Sequence, residues 1–325
     1  MKKFLSSLVV GAAAGLMAWP TWGVAADIKL DLPVLPVPSL SNFTPPVIKA
    51  KRFDHANGLD IDFVVKPAQA YRTDFAAGTN KVGGSGTLLA DVAKLNEKGV
   101  NTVYLINVFD FWETVVVRSD SNIRTLKDLE GRTLAAALPT TVYAMFRFFA
   151  QDAGLDLSKV SVQGSTVPGL VALAAAGRVD AVSVWEPAYS VLTYKNDKYR
   201  SLDFVRAWEK RIGENEIPYL GVAAHRDWVD SHKEVIARLY KTYEQAAAFI
   251  KKNPEETASI ISKASNDKLK RDMLVNLIKS DRFTLNVHWG ATRRAAADTF
   301  FRAAVTAKYL NHMPPASVLY DGEGH

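Results

Sequence analysis

Thr133-Leu134-Ala135-Ala136-Ala137-Leu138-Pro139-Thr140-Thr141-Val142-Tyr143-Ala144-Met145-Phe146-Arg147-Phe148-Phe149-Ala150-Gln151-Asp152-Ala153-Gly154 is an apolar run, a proline-marked turn and a second apolar segment closed by glycine. A buried strand over 133–138 that turns into a helix over 142–153 accounts for all three parts, because Pro marks the turn and Gly follows a helix end. The theme continues on both sides. Val115-Val116-Val117 reads as a strand, and Thr125 with Asp128 offers a capping box for a short helix ended by Gly131. Residues 160–162 read as a strand, 167–176 as a helix stopped by Gly177, and 179–185 as a further strand.

The preceding third has the same grammar. An alternating then continuous apolar run at 59–65 suits a strand entering a buried sheet, and 103–108 suits another. A first strand falls at 28–35, a helix at 47–55, a helix at 70–77, and a short strand at 81–86 runs into the glycine loop Gly83-Gly84-Ser85-Gly86. Leu88, Leu89, Val92 and Leu95 repeat at helical spacing within 87–98. This β-α-β-α-β order argues for α/β layers with parallel strands. From Asp227 onward the character turns helical. Ser231 and Glu234 suggest a capping box for a helix through Ile250, with Val235, Leu239, Tyr243, Ala246 and Ile250 as its buried stripe. Asn253-Pro254 starts another helix, two more are expected near 268–279 and 291–309, and the tail 314–325 is expected to be loose. No low-complexity linker separates the two α/β units, so 114–117 and 219–224 are expected as strands crossing between them.

The chain has 325 residues, 48% of them hydrophobic and 23% charged, which fits two domains and excludes a disordered or fibrous protein. Residues 1–26 read as an export signal: Lys2 and Lys3, an apolar run from Phe4 to Met17, then small residues before Asp27. The run is too short for a membrane anchor. There is no cysteine, which excludes disulfides, thiolate metal sites and a lipid-modified N-terminal cysteine. The formal charge of +6 is scattered, so nucleic-acid binding is not expected.

Chemistry is sparse. The six histidines form no helical metal pair, and no nucleophile elbow, Walker loop or dinucleotide fingerprint occurs. Neither a metal nor a cofactor is expected. Open α/β sheets bind ligands beyond the carboxyl ends of their strands, at helix starts. Those places hold Ser41 and Asn42, Tyr71, Ser85, Gly86 and Thr87, Phe109 and Trp112, Thr140 and Thr141, and Trp185 and Glu186. Hydroxyls and free N–H groups suit an anion, and aromatic rings suit a small organic body. Capping and core packing are the competing accounts of the same residues.

Three further stretches carry a resemblance. The run from Ile123 through Asp128-Leu129-Glu130-Gly131-Arg132 to Ala135 resembles the "DLkGk" segment of solute-binding proteins of ABC importers. The stretch from Gly169-Leu170 through Ala176-Gly177-Arg178-Val179-Asp180-Ala181 resembles their "alaaG-vDA" segment, and Ser183-Val184-Trp185-Glu186-Pro187 is similar to the "WEP" element of the nitrate/sulfonate/taurine subgroup, which includes thiamine-precursor binders. The resemblance implies a two-lobe periplasmic-binding-protein fold of type II kind, with a ligand cleft between lobes and a helical C-terminal part. Lobe I would be 27–115 with 220–325, and lobe II 116–219. It implies a binding protein and not an enzyme: a monomer, free in the periplasm, that is not membrane-embedded. Such a protein delivers its ligand by hinge closure to an ABC permease with its ATPase. No loop arginine stands out as an anion clamp, while Asp110 and Glu186 are expected near the mouth. The ligand expected is an aromatic or sulfonate-like organic anion, with a heteroaromatic pyrimidine as the alternative. A periplasmic sensor input is the other alternative. A fungal pyrimidine-synthesising enzyme shares the fold class, but its cysteine-rich metal motif has no counterpart here.

Overall fold

The computed structural model describes residues 27–138, 140–213 and 216–322. The expected export signal therefore lies outside the described residues. β1 (Ile28–Val34) leads through a 3-10 turn to α1 (Thr44–Lys51), α2 (Phe53–Ala56), β2 (Leu59–Val65), α3 (Ala68–Ala76), β3 (Val82–Leu88), α4 (Leu89–Glu97) and β4 (Thr102–Asp110). Next come β5 (Thr114–Arg118), β6 (Thr133–Ala136), α5 (Thr141–Asp152), β7 (Ser161–Gly164), α6 (Val167–Ala175), β8 (Ala181–Val184), α7 (Ala188–Thr193), β9 (Tyr199–Leu202) and α8 (Phe204–Ile212). The remaining elements are β10 (Pro218–His225), α9 (Arg226–Ser231), α10 (Lys233–Lys252), α11 (Pro254–Ala264), α12 (Arg271–Ile278), β11 (Leu285–Trp289) and α13 (Arg294–Thr306).

Three sheets result: the parallel pair β1-β2, a four-stranded sheet in the order β11-β4-β10-β3, and a five-stranded sheet in the order β7-β6-β8-β5-β9. The expected parallel pairing holds for β6 with β7 and β8, but β3 and β4 do not pair with each other. β10 lies between them, antiparallel to both. The reason is topological: β4 takes the chain out of this sheet and β10 brings it back, so the two run in opposite directions.

Neither expected crossing strand spans both sheets. β5 pairs entirely within the five-stranded sheet and β10 entirely within the four-stranded one. The crossings are instead the residues 111–113 and the segment ending at Ile217, held together where Phe111 N donates to Ile217 O at 2.8 Å. Glu113, in the first crossing, is 1% exposed. Its Oε1 accepts from Ser183 Oγ at 2.6 Å, and its Oε2 has no partner among the described residues. Burial pushes its pKa well above the ordinary carboxyl value. The folded chain thus binds a proton that the unfolded chain releases above about pH 4.5, so stability falls as pH rises toward the folded pKa. Glu113→Gln is expected to flatten that slope, measured by urea unfolding at pH 5, 7 and 9; an unchanged slope would assign it to another group.

The helical third folds as its pattern dictates. Val235, Leu239, Tyr243, Ala246 and Ile250 are all buried on α10, joined by Ile236 and Ala247. Each large side chain so buried is worth about 1.5–3 kcal/mol. Local signals fared less well. The helix expected over 47–55 is split by Arg52, which adopts a left-handed conformation (φ 55°). Ser231 does not cap α10: its hydroxyl donates to Asp227 O and Trp228 O, and His232 takes the N-cap place. Asn253 Nδ2 turns back to Phe249 O. The tail is packed through Tyr320, whose N donates to Tyr104 O at 3.0 Å, because Val318, Leu319 and Tyr320 bury apolar surface there.

Candidate functional site

A cavity of about 440 Å³ lies between the two larger sheets. One wall comes from the loop Leu35-Pro36-Val37-Pro38-Ser39 after β1, from Ala68, Tyr71 and Arg72 of α3, and from Gly86 and Leu88 of β3. The other comes from Ala137 and Thr140 after β6, Ser165 and Thr166 after β7, and Trp185 after β8. Tyr219 and Leu220 of β10 close it at the crossing. This is the carboxyl edge of the parallel strands β6, β7 and β8, where such folds keep their ligands.

The glycine-rich run builds the first wall. It is a fully buried strand and not the expected loop. A Cβ on Gly84 would sit 2.6 Å from Pro33 O, and one on Gly86 would sit 2.8 Å from Ser41 Oγ, so only glycine lets β1 and its loop lie this close. Ser41 ties that loop down: its Oγ accepts from Leu35 N at 3.1 Å and its carbonyl from Ser85 Oγ at 2.7 Å. Gly84→Ala is expected to lower stability by about 1–3 kcal/mol by pushing β1 away. Chemical denaturation checks this, and an unchanged midpoint would show that the approach is not tight.

On the second wall, two helices begin at the cavity. Thr140 caps α5, its Oγ1 accepting from Tyr143 N at 3.2 Å, and Thr166 caps α6, accepting from Gly169 N at 3.3 Å. Each leaves first-turn N–H groups without helical acceptors. Tyr71 Oη is 2.5 Å from Thr87 Oγ1 and donates to Gly84 O at 3.1 Å, and burial raises its pKa.

Of the residues singled out from the sequence, Tyr71, Gly86, Thr140 and Trp185 line this cavity together. Ser41, Ser85 and Thr87 stand behind its first wall in the contacts just given. Asn42 ends the 3-10 turn of the same loop, its N donating to Ser39 O at 3.0 Å. The structure places the others elsewhere. Phe109 is fully buried in the core, 5.6 Å from the Phe283 ring. Trp112 packs edge-on to Tyr189 and faces a separate polar pocket with Arg206 and Glu209. Thr141 is buried, its Oγ1 3.4 Å from Asp91 Oδ1.

Glu186 is 1% exposed and tied to Arg282 Nε at 2.9 Å and to Ser190 Oγ at 3.0 Å; burial raises its pKa despite these partners. Asp110, expected near the mouth, is buried and bonded to Asn107 and Asn286. Neither carboxylate lines the cavity. Arg72, a cation absent from the expected set, does. It follows Tyr71 directly on α3, and that adjacency was the available signal. Thr166, ahead of Val167-Pro168, has the same capping signature as Thr140.

A cavity between two α/β sheets, rimmed by helix starts, is where this class of α/β fold keeps its ligands. Residues 46–257 match the family described as NMT1/THI5 like, and the chain belongs to that family. Among solved structures it is similar to the periplasmic aliphatic sulphonate binding protein SsuA from Escherichia coli. That match has a TM-score of 0.70 and 17% identity, covering 89% of this chain and 90% of that one. It is also similar to the alkanesulfonate-binding protein SsuA from Xanthomonas axonopodis pv. citri bound to MOPS (TM-score 0.69, 18% identity, 92% of this chain and 98% of that one). The desulfurization enzyme DSZB is a third likeness (TM-score 0.61, 16% identity, 89% and 94%). These likenesses show a shared fold, the periplasmic-binding-protein fold expected from the sequence. A comparison with curated protein sequences finds no match.

Proposed function

We propose that this chain is the ligand-capturing component of an ABC importer and holds a small organic anion, a sulfonate or an aromatic acid, in the cavity between its sheets. The observation that carries the reading is the cavity wall itself. Tyr71, Trp185, Tyr219, Leu35 and Val37 make it apolar and aromatic, Arg72 supplies a guanidinium, and no carboxylate is among the described residues that line it. Apolar walls with one placed charge are the chemistry of a small amphiphilic anion. The two starting turns of α5 and α6 add donors of the same sign. One SsuA structure holds MOPS, a small organic sulfonate whose acid group is joined to a saturated ring by a propyl chain.

In this reading the elements from β1 to β4 with those from β10 onward form one lobe and those from β5 to α8 the other, closing about the paired crossings at Phe111 and Ile217. Ligand touching both walls favours the closed population. Among the described residues no helix is long and apolar enough to cross a membrane. With an export signal at 1–26 and no cysteine to carry lipid, the mature chain is read as a free periplasmic monomer that meets its permease and ATPase there.

The test is a thermal-shift screen of residues 27–325 against alkanesulfonates, MOPS, aromatic acids and pyrimidines. A true ligand at 100 times its Kd adds about 2.7 kcal/mol. A shift with pyrimidines alone would move the reading to a thiamine-precursor binder. Loss of sulfur from a bound sulfonate, followed by mass spectrometry, would overturn it in favour of an enzyme. Trp185→Ala is expected to weaken the ligand found and to lower the ligand-free melting temperature without unfolding the chain, because Trp185 is only partly buried at the rim yet packs against both neighbouring cores.

A further inference from the structure

We infer that Asp91 is the positioning residue of this site, aiming Arg72 into the cavity and joining that aim to the approach of the two walls. The inference rests on the cavity being the binding site. Asp91 lies on α4, outside the cavity lining, and its two oxygens do different work. Oδ2 is 3.0 Å from Arg72 Nε, the nitrogen nearest the side-chain stem. Oδ1 accepts from Tyr309 Oη at 2.5 Å and is 3.4 Å from Thr141 Oγ1. Burial, followed by the Asp91 charge, raises the Tyr309 pKa, so the phenol keeps its proton and remains a donor.

These partners come from four places in the fold. Arg72 is on α3, Asp91 on α4, Tyr309 follows α13, and Thr141 is the first residue of α5, the helix that begins at the opposite wall. Arg72 is 38% exposed and lines both the cavity and the groove beneath α3, so an unheld guanidinium has two places to go. Asp91, which lines that groove and not the cavity, holds Nε by an ion pair, restricts the side chain and lowers the entropy that a bound anion would otherwise have to remove. Thr141 makes the same carboxylate a contact between the walls. When the walls part, the Thr141 contact is lost while the Arg72 pair, which lies within one wall, is kept.

The test uses ligand-free protein, so it stands apart from the ligand screen. The order of the Arg72 Nε–H group is read from its heteronuclear NOE, the signal being assigned by its absence in Arg72→Lys. Opening is read by spin-label distances between Lys98→Cys and Ala172→Cys, both exposed, in a chain that has no cysteine of its own. Asp91→Asn is expected to drop the NOE to that of the exposed Arg147. Thr141→Val is expected to leave the NOE intact and shift the distance distribution to longer values. An NOE unchanged in Asp91→Asn, or a distance distribution unchanged in Thr141→Val, would overturn the inference. A panel in which no anion binds would overturn the reading of the site and leave both of these measurements interpretable.

Discussion

Arg72→Ala is expected to weaken binding of the anion found in the screen by about 2–3 kcal/mol, roughly 30- to 150-fold. The lower part of the range for a charged partner applies because the side chain is 38% exposed and water screens it. Truncation also leaves Asp91 with Tyr309 and Thr141 but without a cation, which adds uncompensated negative charge behind the cavity. Arg72→Lys should recover part of the loss, since an ammonium keeps the charge but not the planar fork. Isothermal titration at two ionic strengths measures both. If Arg72→Ala binds the anion as tightly as the wild type, the helix starts at Thr140 and Thr166 hold it instead.

The second large effect is expected from Phe149→Ala. Phe149 is 2% exposed on α5 and meets Trp208 at 5.0 Å, Phe204 at 5.4 Å, Phe148 at 5.5 Å and Phe111 at 6.1 Å between ring centroids. Truncating a buried Phe costs about 3–5 kcal/mol in lost burial and cavity. At this chain length each kcal/mol lowers the melting temperature by roughly 2–4 °C, so a fall of about 10 °C is expected. Phe111 sits in the crossing and also meets Phe300 of α13, while Phe204 packs against the cores of both larger sheets, so the cluster joins the two. The variant is therefore expected to unfold less cooperatively than the wild type, as well as at lower temperature. A midpoint within 2 °C of the wild type, on the scale just cited, would show that the neighbouring rings refill the space.

Legibility followed the range of the determining force. The strand and the helix that residue order alone predicts within 133–154 are both present, as β6 and α5. The α10 stripe was equally plain, because a one-sided helix needs no partner to reveal its period. Residues 188–212 gave no comparable signal and yet hold α7, β9 and α8. β9 is a four-residue edge strand that takes its conformation from pairing with β5. Gly83-Gly84-Ser85-Gly86 pointed to a loop because glycine is poor in strands. Only the approach of β1 shows why these positions need it.

The sequence by itself determined the α/β class, the alternation that builds the five-stranded sheet, the helical final third and the family. All of these rest on local periodicity or on short ordered motifs. Tertiary structure decided which residues line the cavity. Glu186 and Phe109 looked like site residues beside a strand end, and packing withdrew both from the cavity. Arg72, Asp91, Thr141 and Tyr309 carry no shared motif and meet only once β10 has returned between β3 and β4 and α13 has brought Tyr309 to α4. Contacts between residues so far apart in the chain are made by the burial of apolar surface around them, and no local pattern records where that burial will bring them.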